Sequence, residues 1–185
     1  MRPMRFLAIA MTSAALGLAA CGGDDNSKSA PEPPNTMKLT SPAFADGATL
    51  PKKFTCDGPL KGVSPPLDWR LRPRDLKSQA LTLTDPDAPG GTFVHWVVWG
   101  MMRKTTGLQE DIPPIGLPTA KNDAGTTKYA PPCPPKGDSP HRYVFTIYAL
   151  KDQLDAKGGD PANDVIEKIK KAALARGTLT GTYSR

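Results

Sequence analysis

Histidine is nearly absent from this chain: His95 and His141 are the two in 185 residues. Aromatic residues are sparse, at 6%, and no apolar run reaches the roughly 20 residues that a membrane-spanning helix needs. A Gly-x-Ser-x-Gly nucleophile elbow is missing, and Ser64 and Ser139 lie in Pro-rich turns, so the usual serine nucleophile of a hydrolase has no place to sit. There is no internal repeat, which excludes solenoid architectures. Cysteine is scarce too, with three residues, whereas proline is abundant, with 21.

The longest apolar stretch is at the N-terminus. Arg2 and Arg5 precede an uncharged run from Phe6 to Ala20, the pattern of a secretory signal. It ends at Leu18-Ala19-Ala20-Cys21 and turns polar at Gly22-Gly23-Asp24-Asp25, which resembles a bacterial lipobox with Cys21 as the lipidated first residue of the mature protein. Three segments follow from this: a lipoprotein signal peptide over 1–20, a lipidated Cys and disordered tether over 21–36, and one globular domain over 37–185. Acyl chains stabilise the membrane-bound state by about 0.8 kcal/mol per buried methylene, so the expected location is the cell envelope, held to a membrane by the lipid. Gly22 and Gly23 follow the Cys in place of an Asp. In a two-membrane bacterium this reads as delivery to the periplasmic face of the outer membrane; a Gram-positive host would use the outer face of its single membrane.

Lipidation of Cys21 leaves Cys56 and Cys133, either as a bridge in an oxidising compartment or as two buried thiols. The formal charge of +6 loses two positive charges with the signal. The rest of the excess gathers around Lys61, Arg70, Arg72, Arg74 and Lys77 beside one expected loop, and in Lys168, Lys170, Lys171 and Arg176 on an expected helix. Export and the lack of an aromatic-interleaved basic motif argue against nucleic acid as a partner. A solvated face, or attraction to anionic headgroups, fits better.

Short strand-like segments recur at 50–55, 79–84, 92–99, 142–150 and 178–183, so the domain reads as mainly β. Helix signals come late. The stronger one has Asp160 as N-cap, Pro161 at the first helical position, an apolar stripe of Val165, Ile166, Ile169, Ala173 and Leu174, and Gly177 as a stop.

Both histidines fall on strand-like segments. Period two puts His95 with Phe93, Val97 and Trp99, and His141 with Tyr143, Phe145 and Ile147. Buried imidazoles need polar partners, and the proline-stiffened loop Asp85-Pro86-Asp87-Ala88-Pro89 offers two carboxylates. Convergent imidazole, phenol and backbone N–H donors would hold a small anion, and a carboxylate would orient an imidazole or accept an ammonium.

These residues carry a resemblance. Ser64-Pro65-Pro66-Leu67-Asp68-Trp69, Asp85-Pro86-Asp87-Ala88-Pro89, His95-Trp96, and Pro134-Pro135-Lys136-Gly137 before His141-Arg142-Tyr143 together resemble the phosphatidylethanolamine-binding protein family, in its bacterial Raf-kinase-inhibitor-like branch. The resemblance implies an antiparallel β-fold with peripheral helices. It also implies a surface pocket for phosphate-like or phosphoethanolamine-like ligands, built here from Asp85, Asp87, His95, His141 and Tyr143, with Cys133 and Pro134 at its rim. It favours a Cys56–Cys133 disulfide, as in secreted and microbial members. Cys133 stands where the family often has Gly, and the chain ends in a strand-like segment where animal members have a helix.

The expected function is therefore non-catalytic binding of a small anionic ligand or a phospholipid headgroup, with no cofactor, no metal site and no catalytic residues. The alternative is an interaction or inhibitor module acting on an envelope protein. A hydrolase lacks its nucleophile, and a calcium site in Asp85–Gly90 is opposed by its prolines and the missing distal Glu.

Overall fold

The computed structural model describes residues 31–60, 62–111 and 116–185; the expected signal peptide, Cys21, most of the expected tether and Lys61 lie outside them. Three layers make up the fold. A three-stranded antiparallel sheet has the order β1-β2-β5, and a four-stranded antiparallel sheet has the order β4-β3-β6-β7. The small sheet comprises β1 (Lys38–Thr40), β2 (Leu67–Arg70) and β5 (Gly107–Leu108). The large sheet comprises β3 (Ser78–Asp85), β4 (Phe93–Met102), β6 (His141–Leu150) and β7 (Ala173–Tyr183).

Alternation decides which core each residue joins. Leu81 and Leu83 of β3 turn to the small sheet and meet Leu39, Leu67, Trp69, Phe145 and Ile147. The opposite face carries Ala80, Tyr148 and Leu150, which pack with Val165 and Ile169 of α1 (Ala162–Ala172). Trp69 Nε1 donates to Gln79 Oε1 at 2.7 Å, a buried bond that fixes the two sheets to each other.

Four of the expected strands are present, and the differences have local causes. Residues 50–55 are not a strand: Pro51, with φ −57°, starts a 3-10 turn over Lys52–Phe54, whose backbone satisfies itself when Thr55 N donates to Lys52 O at 2.9 Å. The helix begins after Pro161, because Asp160 accepts a bond from Lys157 N at 2.9 Å and caps nothing downstream. It ends at Ala172, five residues before Gly177. Ala173, Leu174 and Arg176 therefore belong to β7, whose pairing with β6 outcompetes further helix. Gly177 serves that strand by close approach, since a Cβ there would lie 2.6 Å from Met37 O.

The N-terminal boundary also moves. The segment expected as tether is already fastened at its end: Pro33 is buried, Arg176 N donates to Pro34 O at 2.9 Å, and Asn35 bridges to Arg176 in parallel. Glu32 pairs with Lys170 at 2.7 Å and with Arg176 at 3.4 Å. No described helix is long and apolar enough to cross a membrane.

Candidate functional site

At one end of the large sheet, Asp85 closes β3 and His141 opens β6, two neighbouring strands, so the side chains meet across the ladder. His141 Nδ1 lies 2.8 Å from Asp85 Oδ2, and both residues are buried. The other Asp85 oxygen accepts from Asp87 N at 2.9 Å, which curls the proline-stiffened loop back onto the strand end. Burial pulls the His141 pKa down. The hydrogen bond and charge of Asp85, helped by Asp138, outweigh it, so the imidazole sits above its ordinary 6.5. Its Nε2 faces Asp138 Oδ2 at 3.6 Å, beyond hydrogen-bond length.

His95 reaches the same place by a different route. Leu83 pairs with Trp96 and Thr84 with Val94, so a bulge in β4 leaves His95 without its own partner on β3. Period two is broken there: Val97 and Trp99 face the helix, whereas His95 turns to Tyr143, at 5.4 Å between ring centroids, and to Phe93, at 4.7 Å. The expected face-sharing of His95 with Val97 and Trp99 is thus corrected. His95 Nδ1 is 2.9 Å from Ala130 O. A carbonyl only accepts, so Nδ1 carries the proton and Nε2 of the neutral ring presents a lone pair. Burial holds the His95 pKa below its ordinary 6.5, against the raising effects of Ala130, Asp85 and Asp123.

Tyr143 completes the group. It lies between the two imidazoles, fully buried, and its hydroxyl makes no hydrogen bond of normal geometry, with Asp85 and the Cys133 backbone its nearest polar neighbours. Burial, followed by the nearby Asp85 charge, raises its pKa, so it is a neutral phenol at all physiological pH values. An orphaned hydroxyl of this kind costs about 1–3 kcal/mol unless a ligand or water meets it.

The three residues and Asp85 line a cavity of about 410 Å³ whose other walls include Pro89, Phe93, Pro131, Cys133 and Pro134. Its walls are mainly apolar with a few convergent polar groups, as small-molecule sites are. Cys133 is joined to Cys56 by a disulfide with Cα atoms 5.3 Å apart, which ties the wall to the 3-10 turn region.

Six of the expected ligand-binding residues, Asp85, His95, Cys133, Pro134, His141 and Tyr143, come together here. Asp87 does not. It turns outward to Arg142, accepting from its backbone N at 2.8 Å and from its guanidinium at 2.7 and 2.9 Å, which holds the Asp87 pKa at about 2. The Ala130 carbonyl that sets the His95 tautomer carried no signal in the sequence. Among the described residues, no cluster of His, Cys, Asp or Glu is arranged to hold a metal ion.

Residues 40–184 match the family model of phosphatidylethanolamine-binding proteins. The chain belongs to that family. The family's relatives of this chain include a UPF0098 protein of Methanothermobacter thermautotrophicus, 42% identical over 80% of this chain and 99% of its own. Another is LppC of Mycobacterium tuberculosis, named as a lipoprotein, 34% identical over 91% of this chain and 90% of its own. Among solved structures, E. coli YbcL, described as a member of the mammalian phosphatidylethanolamine-binding protein family, has a TM-score of 0.75 at 30% identity over 81% of this chain and 99% of its own. CT736 of Chlamydia trachomatis has a TM-score of 0.74 at 37% identity over 82% of this chain and 99% of its own.

Proposed function

We propose that the domain is an envelope-anchored binding protein that takes a phosphate-like or phosphoethanolamine-like ligand in the Asp85–His95–His141–Tyr143 cavity and does no chemistry on it. The observation that carries this reading is the buried Tyr143, whose hydroxyl makes no well-formed hydrogen bond in the protein and whose ring lies between two imidazoles of opposite polarity. His141, whose pKa the pairing with Asp85 raises, donates from Nε2 to an anionic oxygen in its protonated form, and Tyr143 can donate beside it. Neutral His95 accepts, which suits the P–OH of a singly protonated phosphate or an ammonium group. A doubly charged phosphate would lack a donor for Nε2, so the site favours a ligand that carries both an anionic oxygen and an acidic hydrogen.

Among the described residues, the cavity lining has no free thiol and no unpaired carboxylate. Cys133 is bridged, and Asp85 is occupied by His141 and the Asp87 amide. Anchoring rests on the Cys21 motif and on the similarity to LppC.

Titration calorimetry with inorganic phosphate and with phosphoethanolamine tests the proposal. His95→Ala and His141→Ala should each weaken binding by about 1.5–3 kcal/mol, roughly ten- to a hundredfold, with Lys168→Ala on α1 unchanged. Equal affinities in all variants would sink it.

A further inference from the structure

Opposite the cavity, two large apolar side chains stand in solvent among cations without carboxylate partners. The ladder places Met102, Ser78, Leu150 and Ala173 side by side across this end of the large sheet, while Asp85, Phe93, His141 and Tyr183 mark the cavity end. Ser78 and Asp85 are the two ends of β3, so about 23 Å separate the poles at roughly 3.3 Å per residue.

Leu71 is 69% exposed and Met102 is 74% exposed. Leu71 holds φ at 63°, a left-handed backbone that glycine or asparagine adopts at far lower cost. The two turns that carry them are locked together. The Arg72 guanidinium donates to the carbonyls of Arg103 and Thr105, and Gln79 Nε2 donates to Met102 O at 2.8 Å and Thr105 O at 2.9 Å. Around the pair lie Arg70, Arg74, Lys77, Arg103 and Lys104, all exposed and none in an ion pair among the described residues. Asp68 and Asp75 are the acids nearest in the chain, and Asp152 is brought near by Ser78, whose hydroxyl donates to its backbone carbonyl; three carboxylates are fewer than the cations around them. Rigid apolar tips ringed by guanidinium and ammonium groups match the headgroup region of an anionic bilayer, where tips enter the acyl boundary and cations meet phosphates.

The course of the N-terminal segment is a second, independent observation. β7 runs from Ala173 at the cationic pole to Tyr183 at the cavity pole. Asn35 bridges to Arg176 in parallel, so the chain enters along β7 from the cationic pole. Glu32, paired with Lys170 and Arg176, is fastened near that pole. Cys21, the expected lipidation site, lies eleven residues upstream of Glu32, so a lipid there would join the domain from the side of the cationic pole.

We propose that the pole formed by Leu71, Met102 and the surrounding cations docks on an anionic phospholipid surface and holds the cavity on the side away from the membrane. Taken with the anion-pocket reading above, on which this consequence rests, the cavity then meets soluble phospho-compounds and not headgroups of the membrane beneath it.

Amide hydrogen exchange of the full-length protein in phosphatidylcholine vesicles, with and without phosphatidylglycerol, tests the docking directly. Exchange over 71–77 and 102–106 should slow severalfold when phosphatidylglycerol is present and recover in high salt, while 131–141 stays unchanged. Arg74→Glu with Lys104→Glu, shown to melt at the unaltered temperature, should abolish the protection, and Leu71→Asp with Met102→Asp should do the same. Equal exchange in both vesicle types, protection at 131–141 instead, or protection that persists in the charge-reversed variant would overturn the proposal. Phosphate affinity measured on the same variants tests the pocket separately, because none of these substitutions touches the cavity.

Discussion

His95 and His141 share one cavity, yet their surroundings push their pKa values apart, and each leaves its own mark on pH dependence. His141 is raised above 6.5 in the folded protein. Its stabilising contribution is fully present below the unfolded value of about 6.5 and is lost as pH rises through the raised value. His95 is lowered, so the stability tied to its neutral form is present above about 6.5 and is lost as pH falls through the lowered value. Melting temperatures across this window should therefore lose their alkaline-side slope in His141→Gln and part of their acid-side slope in His95→Gln. NMR titration of the two imidazoles gives the same order directly. If His95 titrates above His141, the assigned polarity of the cavity is wrong. Ligand affinity should follow His141 and decline as pH rises above about 6.5, since its imidazolium supplies the charged donor.

Among the elements, β7 makes the most demanding contacts. Gly177 passes so near Met37 that a Cβ would sit 2.6 Å from a backbone oxygen that cannot rotate away, and Gly181 leaves room for Leu50. Gly177→Val should cost about 1–3 kcal/mol and loosen residues 33–37, visible as a lower melting temperature and faster proteolysis near the N-terminal end of the domain. A variant as stable as the parent would mean that this contact is not held in solution. On α1, Ile169 is fully buried against the large sheet, and Ile169→Ala should cost about 2–5 kcal/mol without altering phosphate affinity, because the helix packs on the face turned away from the cavity.

For the molecule as a whole, the Cys56–Cys133 bridge joins positions 77 residues apart. By chain entropy such a closure stabilises the fold by about 4.5 kcal/mol at most. The bridge also braces a cavity wall, since Pro134 follows Cys133 and Cys56 N donates to Pro132 O at 3.0 Å. Reduction should lower the melting temperature and weaken phosphate binding together; loss of stability with unchanged affinity would show that the wall stands without it. Cys21→Ser should release the protein from membranes in cell fractionation, apart from whatever weaker attachment the cationic pole provides, and full retention would refute lipid anchoring.

Composition and short motifs determined much of this protein unaided: a mainly β domain, strands wherever period two was long enough to count, and the His141–Tyr143–Phe145–Ile147 face, which the unbroken β6 preserves. Of the residues the family motifs suggested, Asp85, His95, Cys133, Pro134, His141 and Tyr143 line the cavity; Ala124 and Ala130, which line it too, carried no signal. Tertiary structure alone decided the rest, for a common reason: each depended on a partner far away in the chain. The bulge that swings His95 off the Val97–Trp99 face exists only in the pairing of β4 with β3. Asp87 leaves the cavity because Arg142, 55 residues later, offers it three hydrogen bonds. Ala173 and Leu174 continue a helical stripe by period, but β6 lies beside them and its ladder extends them into a strand. The separation of the cavity from the cationic, apolar-tipped pole is of the same kind, since it follows from the antiparallel ladder that gathers strand beginnings and ends from across the sequence at opposite edges of one sheet.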